Sequence, residues 1–172
     1  GWVVGDALET LTCDLIACSG GFSPLVHLDC HTGSKPWFST DYQAFMPACD
    51  KPNRYVAGSV NGDSDWQGAA AEGEYVGLLA AGQTANLASA PKLLNVADFI
   101  CPEVGRDKVF LDMQNDVKAS DVELAIRENY RSIEHIKRYT ALRFGTDQGK
   151  TGNVNGIAVA AKVMNLPIEE VG

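Results

Sequence analysis

With 172 residues, 45% of them apolar and 21% charged, the chain has the composition of an ordinary folded protein and is long enough to hold a core without a staple. A formal charge of −8 disfavours non-specific binding to nucleic acid or to an anionic membrane. Five cysteines, odd in number and without a C-x-x-C pair, argue against a disulfide framework or a structural zinc site and are read as the reduced thiols of a cytoplasmic protein.

The first half, residues 1–90, reads as α/β. "TCDLIACSGG" carries a short apolar run, Leu15 to Cys18, that ends in Ser-Gly-Gly, the pattern of a buried strand followed by a tight turn at Gly20–Gly21. "FSPLVHLDCH" predicts one or two helical turns, with Pro24 suited to the first. "YQAFMP" and "RYVAGSVNGD" read as further strands, the second running through Tyr55–Ala57 and breaking at Gly58. "DWQGAAAEGEYVGLLAAGQTANLA" predicts a small-residue helix. Its Gly73 and Gly77 would each cost a free-standing helix about 1 kcal/mol, which implies close tertiary contacts. Glu72 and Glu74 interrupt the longest Ala/Gly/Leu-rich stretch, so no membrane span is expected.

Residues 91–107 hold two prolines without a clear period and read as a linker. From 108 to 172 helical signals dominate, after a brief strand at "VFLDM". Ser120-x-x-Glu123 forms a capping box before "DVELAIRENY", whose Val122, Ala125 and Ile126 share a face. Ser132 is a candidate cap for the next helix, with Ile133, Ile136, Tyr139 and Thr140 in a stripe. A third helix, "VNGIAVAAKVMN", has Asn153 as its expected cap and Pro167 as its stop; the residues after Pro167 are expected to add no closing element.

Between the last two helices lies "FGTDQGKTGN", with the residue types of a triphosphate-binding P-loop. The P-loop needs four residues between its first Gly and the Gly-Lys pair, and a preceding strand. Here only Thr146, Asp147 and Gln148 intervene, a basic amphipathic helix precedes, and Asp147 would face the anion. The triphosphate reading fails. "HLDCH" pairs His27 and His31 at helical spacing, but no third metal ligand has a recognisable spacing, and no Ser-His-Asp or Cys-His arrangement can be ordered. No catalytic residue and no metal ligand is assigned. A dinucleotide domain opens on a strand and G-x-G-x-x-G, which "GWVVGDALE" cannot supply, so the chain is expected to be a piece of a longer one.

"CDLIACSGGFSP" is similar to a strand-turn of two-dinucleotide flavoprotein reductases, and "RYVAGSVNGD…AAAEGEYVGLLAA" resembles their last cofactor-binding segment. In that family an Asp after the Gly bonds the ribityl chain of FAD. Ser59 stands there in this chain, which leaves room for another dinucleotide at a helix N-terminus. "FLDMQNDVKASDVELAIRENYRSIEHIKRYTALRFGTDQGKTGN" looks like the helical fold of bacterioferritin-associated ferredoxin, whose four cluster thiolates correspond to Asp112, Gln114, Asp147 and Gly152. A [2Fe–2S] cluster needs thiolates, so the resemblance implies the scaffold without iron.

The combination resembles the alpha subunit of heterotetrameric sarcosine oxidase, over nearly the whole chain. That resemblance implies a partial dinucleotide-binding module (1–90), the linker (91–107) and a cluster-less ferredoxin-like helical domain (108–172), leading toward a folate-binding domain. It further implies oxidative demethylation of sarcosine to glycine, with peroxide and formaldehyde or methylene-tetrahydrofolate as co-products. NAD would bind the alpha subunit, a covalent FMN would lie at the boundary with beta, and smaller gamma and delta subunits would complete the complex. The isolated chain would be inactive. Gly58, Ser59, Val60, Ser64 and Trp66 are then the candidates to line the NAD cleft. Thr146, Gln148, Lys150 and Thr151, with Lys137 and Arg138 on the preceding helix, are the candidates to hold FMN. On the residues alone, Gly58–Ser59 equally make a plain turn, and the loop residues equally satisfy backbone groups. Two other readings stand beside this one: a module of a different flavin-dependent amine or amino-acid dehydrogenase, and a non-catalytic subunit-docking domain.

Overall fold

A computed structural model describes residues 2–4, 7–9, 12–15, 17, 22–63, 65–86 and 108–171. Its elements are β1 (Trp2–Val4), β2 (Ala7–Glu9), α1 (His27–Cys30), β3 (Trp37–Ser39), β4 (Ala44–Met46), a 3-10 turn (Gly58–Asn61), α2 (Trp66–Ala80), β5 (Phe110–Asp112), β6 (Val117–Lys118), α3 (Ala119–Arg127), α4 (Ile133–Thr140), α5 (Asn153–Met164) and α6 (Ile168–Val171). The strands pair as three antiparallel hairpins, β1–β2, β3–β4 and β5–β6.

The core belongs to the helical half. Val122, Ala125 and Ile126 of α3 form one buried face, Ile133 and Ile136 of α4 meet it, and Ile157, Val159 and Ala160 of α5 close it. Leu142, just past α4, is fully buried. The expected stripes of α3 and α4 are thus the core faces, except that Tyr139 is 42% exposed and stacks on Tyr130 at 4.8 Å. The β3–β4 hairpin joins this core: Phe45 packs against it, β3 touches α6, and Phe38 meets Phe45 edge-on at 5.3 Å.

Several local expectations are corrected. The helix begins at Ala119, and Lys118 is its cap residue; the Lys118 N–H donates to Asp121 Oδ2 at 2.9 Å, so Asp121 and not Glu123 closes the box. The reason is that β6 runs straight into α3, placing the change of backbone direction at Lys118. Asn153 is the first helical residue and Gly152 the cap, because the preceding turn carries the chain into helical geometry one residue early. Pro167 ends α5 as expected, with Asn165 left-handed and Leu166 N–H bonding back to Ala161 O; yet α6 follows it and buries Val171.

In the first half the helix at "HLDC", the strand within "YQAFMP" and the small-residue helix are present. Leu15 and Ala17 are not in a strand, and Leu15 is 84% exposed. Tyr55–Ala57 is not a strand: Ala57 is extended, but the segment pairs with no described strand. Arg54 before it is held by an ion pair and Gly58 after it turns at φ +73°, so the segment bridges two anchors instead of joining a sheet. A Cβ at Gly73 or Gly77 would meet nothing within 4 Å among the described residues, so the contacts expected at these two glycines are not made by any described element. The mixed helix-and-strand architecture is present, while strand pairing among the described residues is antiparallel throughout. The turn at Gly20–Gly21 and the linker at 91–107 lie outside the described residues.

Candidate functional site

Two of the candidate NAD-cleft residues line a cavity of about 500 Å³, bounded by three segments. Phe22 to Leu25 form one wall, Tyr42 and Ala44 of the β3–β4 hairpin a second, and Ser59, Val60, Gly62 and Asp63 the third. The third wall is fixed from below by Glu72, a carboxylate only 5% exposed on α2. It accepts the Gly58 N–H at 2.6 Å and an amide hydrogen of Asn61. Gly58 also approaches Ala69 so closely that an added Cβ would sit 3.3 Å from it. Asp63 takes the Asp65 N–H at 3.0 Å and lies over Gly68, where any side chain would overlap it. At Gly62, φ +89°, a Cβ would overlap the Tyr42 ring. Burial, then the neighbouring Asp63, Glu72 and Asp41 carboxylates, push the Tyr42 hydroxyl up from its ordinary value, so it stays protonated as a donor.

Ser59 and Val60 are therefore together at the cavity, while Gly58 supports the turn from behind, its N–H already used. Trp66 is 77% exposed and does not line the cavity; Ser64 lies outside the described residues. Tyr42, Asp63 and Glu72 were not singled out from the sequence. Glu72 did leave a signal there, a carboxylate inside an otherwise small and apolar helix.

The second place is the loop between α4 and α5, which contains Asp147 and Gly152 and is bound by Asp112 and Gln114. Asp112, 4% exposed at the end of β5, accepts N–H groups of Gln114 (2.9 Å) and Asn115 (3.1 Å) on Oδ1, and of Arg143 (3.2 Å) on Oδ2. Gln114 Oε1 accepts both the N–H (2.5 Å) and the hydroxyl (2.8 Å) of Thr146. Asp147 accepts the N–H groups of Gly149 and Thr151, each at 3.1 Å, and the Thr151 hydroxyl. Those bonds hold its carboxyl below the usual range, the Thr151 hydroxyl first among the causes. At Gly152 a Cβ would come 2.8 Å from Leu111 O, so glycine lets α5 start against β5.

The hydroxyls of Thr146 and Thr151 are consequently committed within the loop, whereas Gln148 and Lys150 are exposed at its rim. Lys137 reaches Glu134 at 3.5 Å and stands 5.5 Å above the Phe144 ring. His27 and His31 hold no shared ligand geometry: Asp29 between them is bound to Arg54 and to the Ala48 N–H, and no group of three metal-ligating side chains occurs among the described residues. No described helix is long and apolar enough to cross a membrane.

The chain and its fold have counterparts among known proteins. Residues 106–172 match the family model described as the sarcosine oxidase A3 domain. The chain is 35% identical, over 98% of its length, to the sarcosine oxidase subunit alpha of Rhizobium meliloti (strain 1021), and 34% identical over 89% to that of Corynebacterium sp. (strain P-1). It spans 18% and 17% of those two proteins. Among solved structures it is similar to an L-proline dehydrogenase from P. horikoshii, with a TM-score of 0.66 and 25% identity over 88% of this chain and 34% of that one. The class is thereby defined: the relatives are oxidoreductases, the curated ones subunits of sarcosine oxidase and the solved one a dehydrogenase. More narrowly, the chain is a relative of the sarcosine oxidase alpha subunit along nearly its whole length, and corresponds to a stretch of under one fifth of that subunit.

Proposed function

We propose that this chain is part of an alpha-type subunit of a cytoplasmic, multi-subunit, flavin-dependent enzyme that oxidises sarcosine to glycine. In this reading residues 1–90 contribute a wall of an NAD site, with Ser59 and Val60 at the cleft. Residues 108–172 form a ferredoxin-like helical domain without a cluster, whose 144–153 loop lies at an interface FMN beside a beta-type subunit. Smaller gamma- and delta-type subunits and a folate-binding domain would belong to the whole assembly, and the 172-residue chain alone would be inactive.

The observation that carries the reading is the setting of Asp112, Gln114, Asp147 and Gly152. Asp112 accepts N–H donors from its own turn and from Arg143, Gln114 accepts from Thr146, Asp147 accepts within the 144–153 loop, and Gly152 lies against Leu111, which supports a scaffold whose ligand positions carry oxygen groups and a glycine. The loop is thereby ordered without thiolate or iron, and Gln148 and Lys150 remain at its rim to offer an amide and an ammonium to a flavin's carbonyls or phosphate. The donor set fits a phosphate only modestly, through one ammonium and the first turn of α5.

The test is the full subunit purified with its partners. Its spectrum should show flavin and no iron–sulfur shoulder, and Lys150→Ala with Gln148→Ala should lower FMN content while leaving the complex assembled. Unchanged flavin content in that double variant would remove the loop from the FMN site; bound iron would overturn the scaffold reading. A second reading, a dehydrogenase of another amino acid, is favoured by the likeness to L-proline dehydrogenase. Turnover of L-proline in preference to sarcosine by the same complex would select it.

A further inference from the structure

The turn between α3 and α4, with the outer face of α4, carries a surface that neither the cavity nor the 144–153 loop uses. Tyr130, in the turn, stacks on Tyr139 of α4 with ring centroids 4.8 Å apart, and both rings stay exposed. His135, Arg138 and Tyr139 stand at i, i+3 and i+4 on α4 and so share one face. All three are exposed, as are Arg127 and Arg131 on either side of Tyr130. Residues 127–138 hold four Lys or Arg against two Glu, in a chain whose formal charge is −8. Both glutamates are engaged: Glu128 takes the Tyr139 hydroxyl, and Glu134 lies 3.5 Å from Lys137 and 3.4 Å from Arg143. Arg127, Arg131 and Arg138 are left with no carboxylate partner among the described residues.

A helix face that only meets water is commonly laced with Glu–Lys pairs, as Glu134 and Lys137 are on α4 itself. Here two stacked aromatic rings are flanked by unpaired arginines, the residue types that protein interfaces enrich and in which their binding energy concentrates. We infer that this face docks an acidic patch of a partner protein, with Asp and Glu side chains against the three guanidinium groups, around an apolar side chain that covers the tyrosine pair. Charge complementarity selects this occupant. A nucleic acid or an anionic bilayer extends its charge beyond the patch and would meet the remaining carboxylates of a −8 chain, whereas an acidic patch of matching size meets this face alone. The inference goes beyond the NAD and flavin readings and rests on the multi-subunit reading only for the existence of a partner.

The full-length subunit, purified with its partners, provides the test. Arg127→Glu combined with Arg131→Glu should raise the dissociation constant of one partner subunit by about tenfold or more and flatten its salt dependence. The thermal melt of the subunit itself should stay where it is, since both positions are exposed. Arg127→Gln with Arg131→Gln is the milder pair should charge reversal disturb folding, and Tyr139→Ala should weaken the same partner. In Arg131→Lys, a carbodiimide should join the introduced amine to an Asp or Glu of that partner. Wild-type affinity and salt dependence in both arginine pairs would overturn the inference and leave the multi-subunit reading in place. A subunit that purifies with no partner would remove that reading and the inference with it. The inference also falls if no partner carboxylate is cross-linked, or if the cross-links are confined to a second copy of the same subunit. Retention of duplex DNA or phosphatidylserine vesicles by wild type, lost in the charge-reversed pair, would equally overturn it.

Discussion

Arg54 Nη2 lies 2.8 Å from Asp29 Oδ1, joining two segments that lead into opposite walls of the same cavity. Asp29 is on α1, just after Phe22–Leu25; Arg54 precedes the extended run into Gly58. The approach is a charge contact without aligned N–H geometry, since Asp29 Oδ1 has no hydrogen-bond donor. The aligned bonds go elsewhere: Arg54 Nη2 donates to Ser34 Oγ at 2.6 Å, and Asp29 Oδ2 accepts the Ala48 N–H at 3.0 Å. Asp29 is 2% and Arg54 17% exposed at the side chain.

Asp29→Ala should therefore cost about 3 kcal/mol, the lower end for breaking a buried pair because Arg54 retains some solvent. It leaves the buried Ala48 N–H without its acceptor and removes the more buried of the two carboxylates facing Arg54, Asp50 at 3.3 Å being the other. Asp29→Asn, which can still accept from Ala48, should cost less. Urea unfolding measured on both variants checks the order, and equal losses would show that the charge contributes nothing.

Glu72→Ala should cost about 1–3 kcal/mol by leaving the buried Gly58 N–H without an acceptor, and should loosen the Gly58–Asn61 turn. Amide exchange at Gly58, read by NMR, should rise by orders of magnitude more than exchange in α5. A uniform increase across the chain would mean that Glu72 acts on global stability alone.

The Asp147 carboxyl is held below its unfolded value by the Thr151 hydroxyl and by the N–H groups of Thr151 and Gly149. A depressed folded pKa stabilises the loop above the unfolded carboxylate value and loses that contribution as pH falls through the folded one. Exchange protection of the Gly149 and Thr151 amides should accordingly be constant from neutral pH down to the ordinary carboxylate range and fall below it, after correction for the intrinsic rate. In Asp147→Asn that acid step should disappear.

Gly156 and Gly73 provide a matched pair. A Cβ at Gly156 would lie 2.5 Å from Leu142 Cδ2, and Leu142 is fully buried. Gly156→Ala gains about 1 kcal/mol of helix propensity but incurs overpacking of about 1–3 kcal/mol, so a net loss is expected. Gly73→Ala meets open space and should stabilise by about 0.5–1 kcal/mol. Thermal melts of the two variants should shift in opposite directions.

Much of the helical half was legible in the sequence because its signals are local. The 3.6-residue spacing of Val122, Ala125 and Ile126 and of Ile133 and Ile136 names the faces that meet in the core, and Pro167 marks the end of α5 whatever surrounds it. Likewise the intervals in "FGTDQGKTGN" excluded a P-loop without coordinates, since backbone N–H groups cannot curl around phosphates with one residue missing. The first half was less readable. Short runs such as Leu15–Cys18 and Tyr55–Ala57 have strand composition, but composition cannot say whether a pairing partner is present.

What tertiary structure alone decided is which polar groups are already spoken for. Thr146 and Thr151 look like free donors in the sequence, yet Gln114, from 32 residues away, and Asp147 take their hydroxyl hydrogens. Gly58 looks like a backbone approach to a ligand, yet its N–H is held by Glu72, fourteen positions on. Sequence spacing fixes bonds that close within a helix or a turn. Bonds that close across elements depend on how the faces pack, and these decide which side chains at the two sites remain available to a ligand.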